Sequence, residues 1–124
     1  MKRVILVIIM MISTLGLYSF SNNKTNDAKT SFASYYHSKF NGRKTASGEI
    51  FDNNKLTAAN LKLPFGTMVK ITNLRSGKSV VVRVNDRGPF HKSRSFDLSQ
   101  AAYKEIGDLK YGTMPIEYEI VDED

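Results

Sequence analysis

Asp86 is the residue of this chain best placed to do chemistry. It lies in the run Val80-Val81-Val82-Arg83-Val84-Asn85-Asp86-Arg87-Gly88-Pro89-Phe90, where β-branched residues break within two positions into a charged turn closed by Gly-Pro. Valines with an alternating, outward Arg83 read as a strand buried on at least one face, and Gly88-Pro89 cannot continue it. A carboxylate held at the end of a rigid strand is suited to giving or taking a proton at a fixed point. Asn85 and Arg87 stand beside it and an aromatic, Phe90, follows. The simpler reading is a polar turn in which Asp86 bonds backbone amides and pairs with Arg87.

The elements that must position Asp86 are short. Met68 to Asn73 alternates with period two, as does Ser79 to Val84, and Leu74-Arg75-Ser76-Gly77-Lys78 between them has the length and glycine of a hairpin loop. Phe32 to Tyr36 reads as a short strand, His37 to Gly48 as a turn-rich loop, and Thr57-Ala58-Ala59-Asn60 as a buried strand or turn. Asp97-Leu98-Ser99 leads into a helix over Gln100 to Gly107. Ser99 is its N-cap and Gly107 its C-cap, with Leu98, Ala102 and Ile106 on one face. Pro115 to Val121 alternates apolar and acidic residues as a half-exposed strand does. Five or six short strands and one helix in about 94 residues from Ser31 are too few for two sheets with separate cores; a small closed barrel satisfies both edges and core.

The start of the chain has a different character. Lys2-Arg3 precedes an uncharged run, Val4 to Leu17, shorter than a membrane span, and Ser19-Phe20-Ser21 offers small residues to a signal peptidase. Residues 1–21 therefore read as a signal peptide, 22–30 as a flexible linker and 31–124 as the folded domain. The expectation is an exported protein with no lasting membrane insertion. The chain has no cysteine, which excludes both a lipid-modified Cys and disulfides. Its net charge of +6 falls to +4 once Lys2 and Arg3 are removed, leaving 16 basic against 12 acidic side chains. A modestly basic exported domain favours an anionic polymer such as cell wall. Nucleic acid is disfavoured by export and by scattered rather than clustered cations. Two histidines, His37 and His91, without cysteine or paired-ligand spacing give a metal site no support.

Four blocks in order resemble the RlpA-like (rare lipoprotein A) family of bacterial exported proteins. They are Ala33-Ser34-Tyr35-Tyr36 with Phe40 to Glu49; Leu56 to Asn60 with Leu63-Pro64-Phe65-Gly66-Thr67; Val84 to Phe90; and Asp97-Leu98-Ser99. The resemblance runs from Phe32 to about Val121. It implies a mainly β fold, a six-stranded double-psi β-barrel with one short helix, similar to barwin-like endoglucanases and the first domain of expansins. It also implies a lytic transglycosylase acting on peptidoglycan glycan strands stripped of stem peptides. Such an enzyme protonates the oxygen leaving N-acetylmuramic acid, and the C6 hydroxyl of the same sugar closes a 1,6-anhydro ring. One acid suffices, with no cofactor.

Asp86 matches the family's acidic residue and is the candidate acid/base. The resemblance departs at Asn60, where catalytic members carry His after Thr-Ala-Ala. An amide orients a sugar but cannot exchange a proton, and Asn here resembles the expansins, which loosen glycan networks without hydrolysing them. His37 and His91 are the only imidazoles able to substitute. The remaining candidates for the substrate groove are Tyr35 and Tyr36, which point to opposite faces so that one stacks on sugar and the other joins the core; Thr57; Arg87; Phe90; and Asp97, either a second groove carboxylate or part of the turn into the helix. Glu49 is expected to pair with Arg43 or Lys44 on the surface. The enzymatic reading is set against a non-catalytic, expansin-like glycan-binding barrel, and a monomer is expected because a closed barrel of this size needs no partner.

Overall fold

The computed structural model describes residues 28–121. The expected signal peptide and residues 22–27 of the expected linker lie outside them. Strands β1 (Lys29–Tyr35), β2 (Thr57–Ala59), β3 (Met68–Asn73), β4 (Ser79–Asp86), β5 (Arg94–Leu98) and β6 (Met114–Ile120) close into a barrel in the order β1-β5-β2-β4-β3-β6. The one α-helix, α1 (Gln100–Ile106), connects β5 to β6, and a 3₁₀ turn covers Ser38–Phe40. Among the described residues no helix is long and apolar enough to cross a membrane.

Alternation decides which side chains fill the barrel. In β4, Val80, Val82 and Val84 are buried while Ser79 and Val81 are exposed, and in β3 Val69 and Ile71 point inward. The β3–β4 hairpin runs antiparallel from Met68↔Arg83 to Thr72↔Ser79, as its two periods require. Ala58, Leu98 and Val84 stand side by side on the inward face of β2, β5 and β4. Phe96, Ile106, Met114 and Ile116 complete a core with no accessible surface or nearly none. Full burial of each large apolar side chain contributes on the order of 1.5–3 kcal/mol.

Two pairings are parallel, β1 with β5 and β2 with β4, and both join segments far apart in sequence. Between them they weave the chain so that each strand has two neighbours and no edge remains. β1 begins at Lys29, where Lys29 and Thr30 pair with Tyr118 and Glu117 of β6. The last two residues of the expected linker are therefore strand.

The helix starts and stops where the sequence places it. The Ser99 side chain accepts from Ala102 N–H, and the Gly107 N–H donates to Tyr103 O. The buried face is Ala102, Tyr103 and Ile106; Tyr103, absent from the expected face, is the largest fully buried side chain. Gly107 is not in the left-handed conformation of a usual glycine cap, since its φ is −162°. The space is tight instead: a Cβ would stand 2.6 Å from the Met114 methyl carbon and 3.2 Å from Asn73 Nδ2, so a larger residue would have to displace the end of the Met114 side chain.

Candidate active site

β2 is the axis of the site. Its last residue, Ala59, is in register with Asp97 of β5 on one side and with Asp86 of β4 on the other, and Asp97 is in register with Ser34 of β1. Ser34, Asp97, Ala59 and Asp86 therefore form one row on the outer face of four adjacent strands. Two interstrand spacings put the backbones of the two acids roughly 10 Å apart. The residue between them, Ala59, is small and has almost no accessible surface. The register of β4 against β2 shifts between Ala58 and Ala59, which turns Asp86 rather than Asn85 to this face.

The Asp86 carboxylate is held from three directions. Its Oδ1 accepts from Ala46 N–H at 2.8 Å and from Arg87 N–H at 2.9 Å, and its Oδ2 accepts the Tyr36 hydroxyl at 2.5 Å. Tyr36 stacks on Phe51 at 4.1 Å and meets the edge of Phe40. Burial, then the hydrogen bond to Asp86 and the charges of Asp86 and Asp97, push the Tyr36 hydroxyl well above an ordinary phenol. It therefore remains a proton-bearing donor to Asp86. Asp97 in turn accepts from the Ser34 hydroxyl.

The loop that brings Ala46 to Asp86 is itself a small hairpin. Lys44 bridges Ile50, Phe51 N–H donates to Arg43 O, and Ser47 N–H donates to Asn85 O. Glu49 pins it to β4: its carboxylate takes a two-pronged bond from Arg83 at 2.7 and 3.0 Å and a third from Asn85 Nδ2 at 3.2 Å. The expected partners Arg43 and Lys44 are not used, because the hairpin turns Glu49 toward β4. The bonds from Arg83 and Asn85 lower the affinity of Glu49 for its proton. A carboxyl with a lowered folded-state pKa contributes stability above the ordinary carboxyl range and loses it as pH falls through its own value. The pair is half-exposed, so the contribution is small. Glu49→Gln is accordingly expected to lower the urea midpoint slightly at about pH 7 and to match the wild type at about pH 3; an equal deficit at both would show that charge is not what Glu49 supplies.

Several residues expected in the groove are occupied elsewhere. Arg87 does not pair with Asp86 through its guanidinium, which donates to Asn60 O and Leu63 O at 3.1 and 2.9 Å and lies 4.0 Å over the Phe65 ring. It clamps the loop after β2. Asn60 does not orient a ligand: its Oδ1 accepts from Lys62 and Leu63 N–H and its Nδ2 donates to Ser95 O, so the amide closes an Asx turn and ties it to β5. Tyr35 is the core member of the tyrosine pair, edge-on to Tyr103 with its hydroxyl on Leu109 O. Thr57 is buried, its hydroxyl has no partner among the described residues, and it makes no bond to Asp86. Phe90 is 84% exposed beyond the Asp86 turn. His37 caps the 3₁₀ turn and His91 bonds Ser93; neither touches Asp86. Among the described residues no cluster suited to a metal occurs.

The structure thus gathers Asp86, Tyr36 and Asp97 and adds Ser34 and the Ala46 amide. Ser34 was legible, because it lies two residues before Tyr36, and in extended chain such residues share a face. The Ala46 amide was not, since nothing local points that loop at β4.

A closed six-stranded barrel with two interwoven parallel pairings and a carboxylate at a strand end is a double-psi β-barrel. Residues 28–118 match the family model described as lytic transglycolase. The chain is 48% identical over 101 residues to the endolytic peptidoglycan transglycosylase RlpA of Pasteurella multocida (82% of this chain, 34% of that protein). It is 57% identical over 81 residues to the probable endolytic peptidoglycan transglycosylase RlpA of Treponema pallidum (65% and 26%). The chain belongs to the RlpA-like lytic transglycolase family, and it spans about a third or less of the length of these relatives. Among solved structures, an expansin of Clavibacter michiganensis aligns with a TM-score of 0.64 at 22% identity, covering 78% of this chain and 52% of that one. A Streptomyces papain inhibitor aligns with 0.63 at 23%, covering 77% and 94%. At these identities the likeness is one of fold.

Proposed function

We propose that this protein is an exported lytic transglycosylase of peptidoglycan, cleaving the bond from N-acetylmuramic acid to N-acetylglucosamine in glycan strands. The relatives named for that activity support the reading. The observation that carries it is the Asp86 carboxyl, fixed by Ala46 and Tyr36 on an outward row of the barrel with no cation among the described residues paired to it. In its protonated form Asp86 gives its proton to the leaving oxygen as the C1–O4 bond breaks. Charge developing at the ring is of oxocarbenium type, and a carboxylate across the row, Asp97, favours it. The C6 hydroxyl then attacks C1, its proton returns to Asp86, and a 1,6-anhydro end forms without water. Tyr36, which keeps its own proton, steers the Asp86 carboxyl through both transfers. Phe90, exposed beside the turn, offers an apolar face to a sugar ring.

A second reading is favoured by Asn60. The family's imidazole is absent, the amide in its place is engaged in loop structure, and neither histidine reaches Asp86. On that reading the barrel holds glycan without turnover. Mass spectrometry of soluble products from amidase-stripped peptidoglycan separates the two. Fragments ending in 1,6-anhydro-N-acetylmuramic acid are expected; sedimentation of the protein with the wall and no such fragments would leave only the binding function.

A further inference from the structure

A hollow opens on the same barrel beside the turn that carries Phe90, and its charged residues are not used by the chemistry above. It is an open depression of about 1070 Å³ at the start of β1 and β5 and the end of β6. Its wall carries Lys29, Lys62, Lys92 and Arg94, with His91 at the side and a single acid, Glu119. Four permanent cations against one carboxylate make it strongly positive, in a domain whose charges are otherwise scattered. Among the described residues the one salt bridge is Arg83–Glu49, and none of these cations has an ionic partner among them. Arg94 carries the sharper signal. Its Nε is buried and has no hydrogen-bond acceptor among the described residues, and a buried guanidinium N–H left unmade is costly.

The hollow is continuous with the site. Asn60 forms part of its wall and donates to Ser95 O, while the Asn60 backbone N–H bonds the carbonyl of Asp86. Along β5, Arg94 lies three residues before Asp97, about 10 Å at strand rise. A polymer lying over Asp97 and Asp86 and continuing along β5 would bring its neighbouring sugar to the hollow. Neutral sugars do not call for four cations, whereas a carboxylate does, and a planar guanidinium fork suits it.

We propose that this hollow is a carboxylate-binding subsite that seats an acidic group of the glycan strand next to the cleavage point, with Arg94 as its principal donor and Lys62 and Lys92 as supporting charges. The inference rests on the reading of peptidoglycan as substrate. Two carboxylates of that polymer have the required chemistry: the lactyl group of N-acetylmuramic acid, which is free only where the stem peptide has been removed, and the acidic residues of the stem peptide itself. The subsite is a specificity element, because no bond is made or broken in it.

The test is binding of the full chain to soluble glycan strands, amidase-stripped and peptide-bearing, for the wild type, Arg94→Gln and the double variant Lys62→Gln/Lys92→Gln. The lysine variant alters only exposed side chains and guards against misfolding of the arginine variant. A loss of about tenfold in affinity is expected for each, with a shallower dependence on salt. Loss confined to stripped strands identifies the lactyl carboxylate, and loss on peptide-bearing strands identifies the stem peptide. Wild-type affinity and salt dependence in both variants, on both substrates, would overturn the proposal. Failure of the catalytic reading is distinguishable, since the wild type would then bind strands in this charge-dependent way and release no anhydro ends.

Discussion

Asp86→Asn is expected to reduce the rate of 1,6-anhydro product release by about 10²–10⁴, the usual contribution of a positioned acid/base group. The substitution separates chemistry from architecture well. The Asn oxygen still accepts from Ala46 and Arg87 N–H, and its NH₂ donates to the Tyr36 oxygen, which accepts as readily as it donates. All three positions around the group stay hydrogen-bonded, so the stability change is expected to stay within about 1 kcal/mol. What is lost is the transferable proton. Product release measured by mass spectrometry, beside thermal unfolding of the same preparation, checks both halves. A variant that releases anhydro fragments at a rate within tenfold of the wild type would remove Asp86 from the mechanism and shift attention to Asp97.

The largest effect on stability is expected at Phe96. Its side chain has no accessible surface, meets the Tyr118 ring at 4.9 Å and 72°, and sits in the strand held between β1 and β2. Truncation to alanine leaves a cavity in a barrel whose walls are hydrogen-bonded on both sides and cannot collapse into it, so a cost of about 3–5 kcal/mol is expected. That is a large share of the roughly 5–15 kcal/mol that holds a domain together, and it should lower the melting temperature by roughly 15 °C or more. Far-ultraviolet circular dichroism during heating reads it directly; a shift below about 5 °C would show that the barrel is pliant at β5. The neighbouring position is Asp97, so a loosened β5 also disperses one side of the row that carries Asp86 and Asp97.

The parts of this architecture that were legible in the sequence are those written in local pattern. The β3–β4 hairpin follows from two runs of period two around a glycine loop, and α1 from Ser99 and a short apolar stripe. β5 was not read as a strand, although Phe96 and Leu98 alternate inward. It has no β-branched residue and is flanked by serines, so its own propensity is poor. It is a strand because parallel pairing to β1 and antiparallel pairing to β2 impose it. The same distinction holds at the site. Asp86 was visible at the end of a valine run, and the split between Tyr35 and Tyr36 followed from alternation. The Asx turn of Asn60 onto Lys62 and Leu63 is a local pattern, but its tie to Ser95 and the placing of Arg87 over Phe65 were invisible, since those partners are fixed only by tertiary approach. Polar residues next to a site were read as facing a ligand when several of them were needed to build its walls.

The weave of the strands also bears on how the chain comes into being. β1, the first strand made, takes both of its neighbours from late in the sequence, β5 and β6, and β3 finds its second neighbour in β6 as well. Until Met114–Ile120 has left the ribosome, the barrel therefore has no seam to close. Every earlier intermediate carries open strand edges, and the predominance of long-range pairing makes final closure slow compared with a helical domain of the same size. The local β3–β4 hairpin can form early, but the barrel as a whole takes its closed shape in one late step, once its last strand is available.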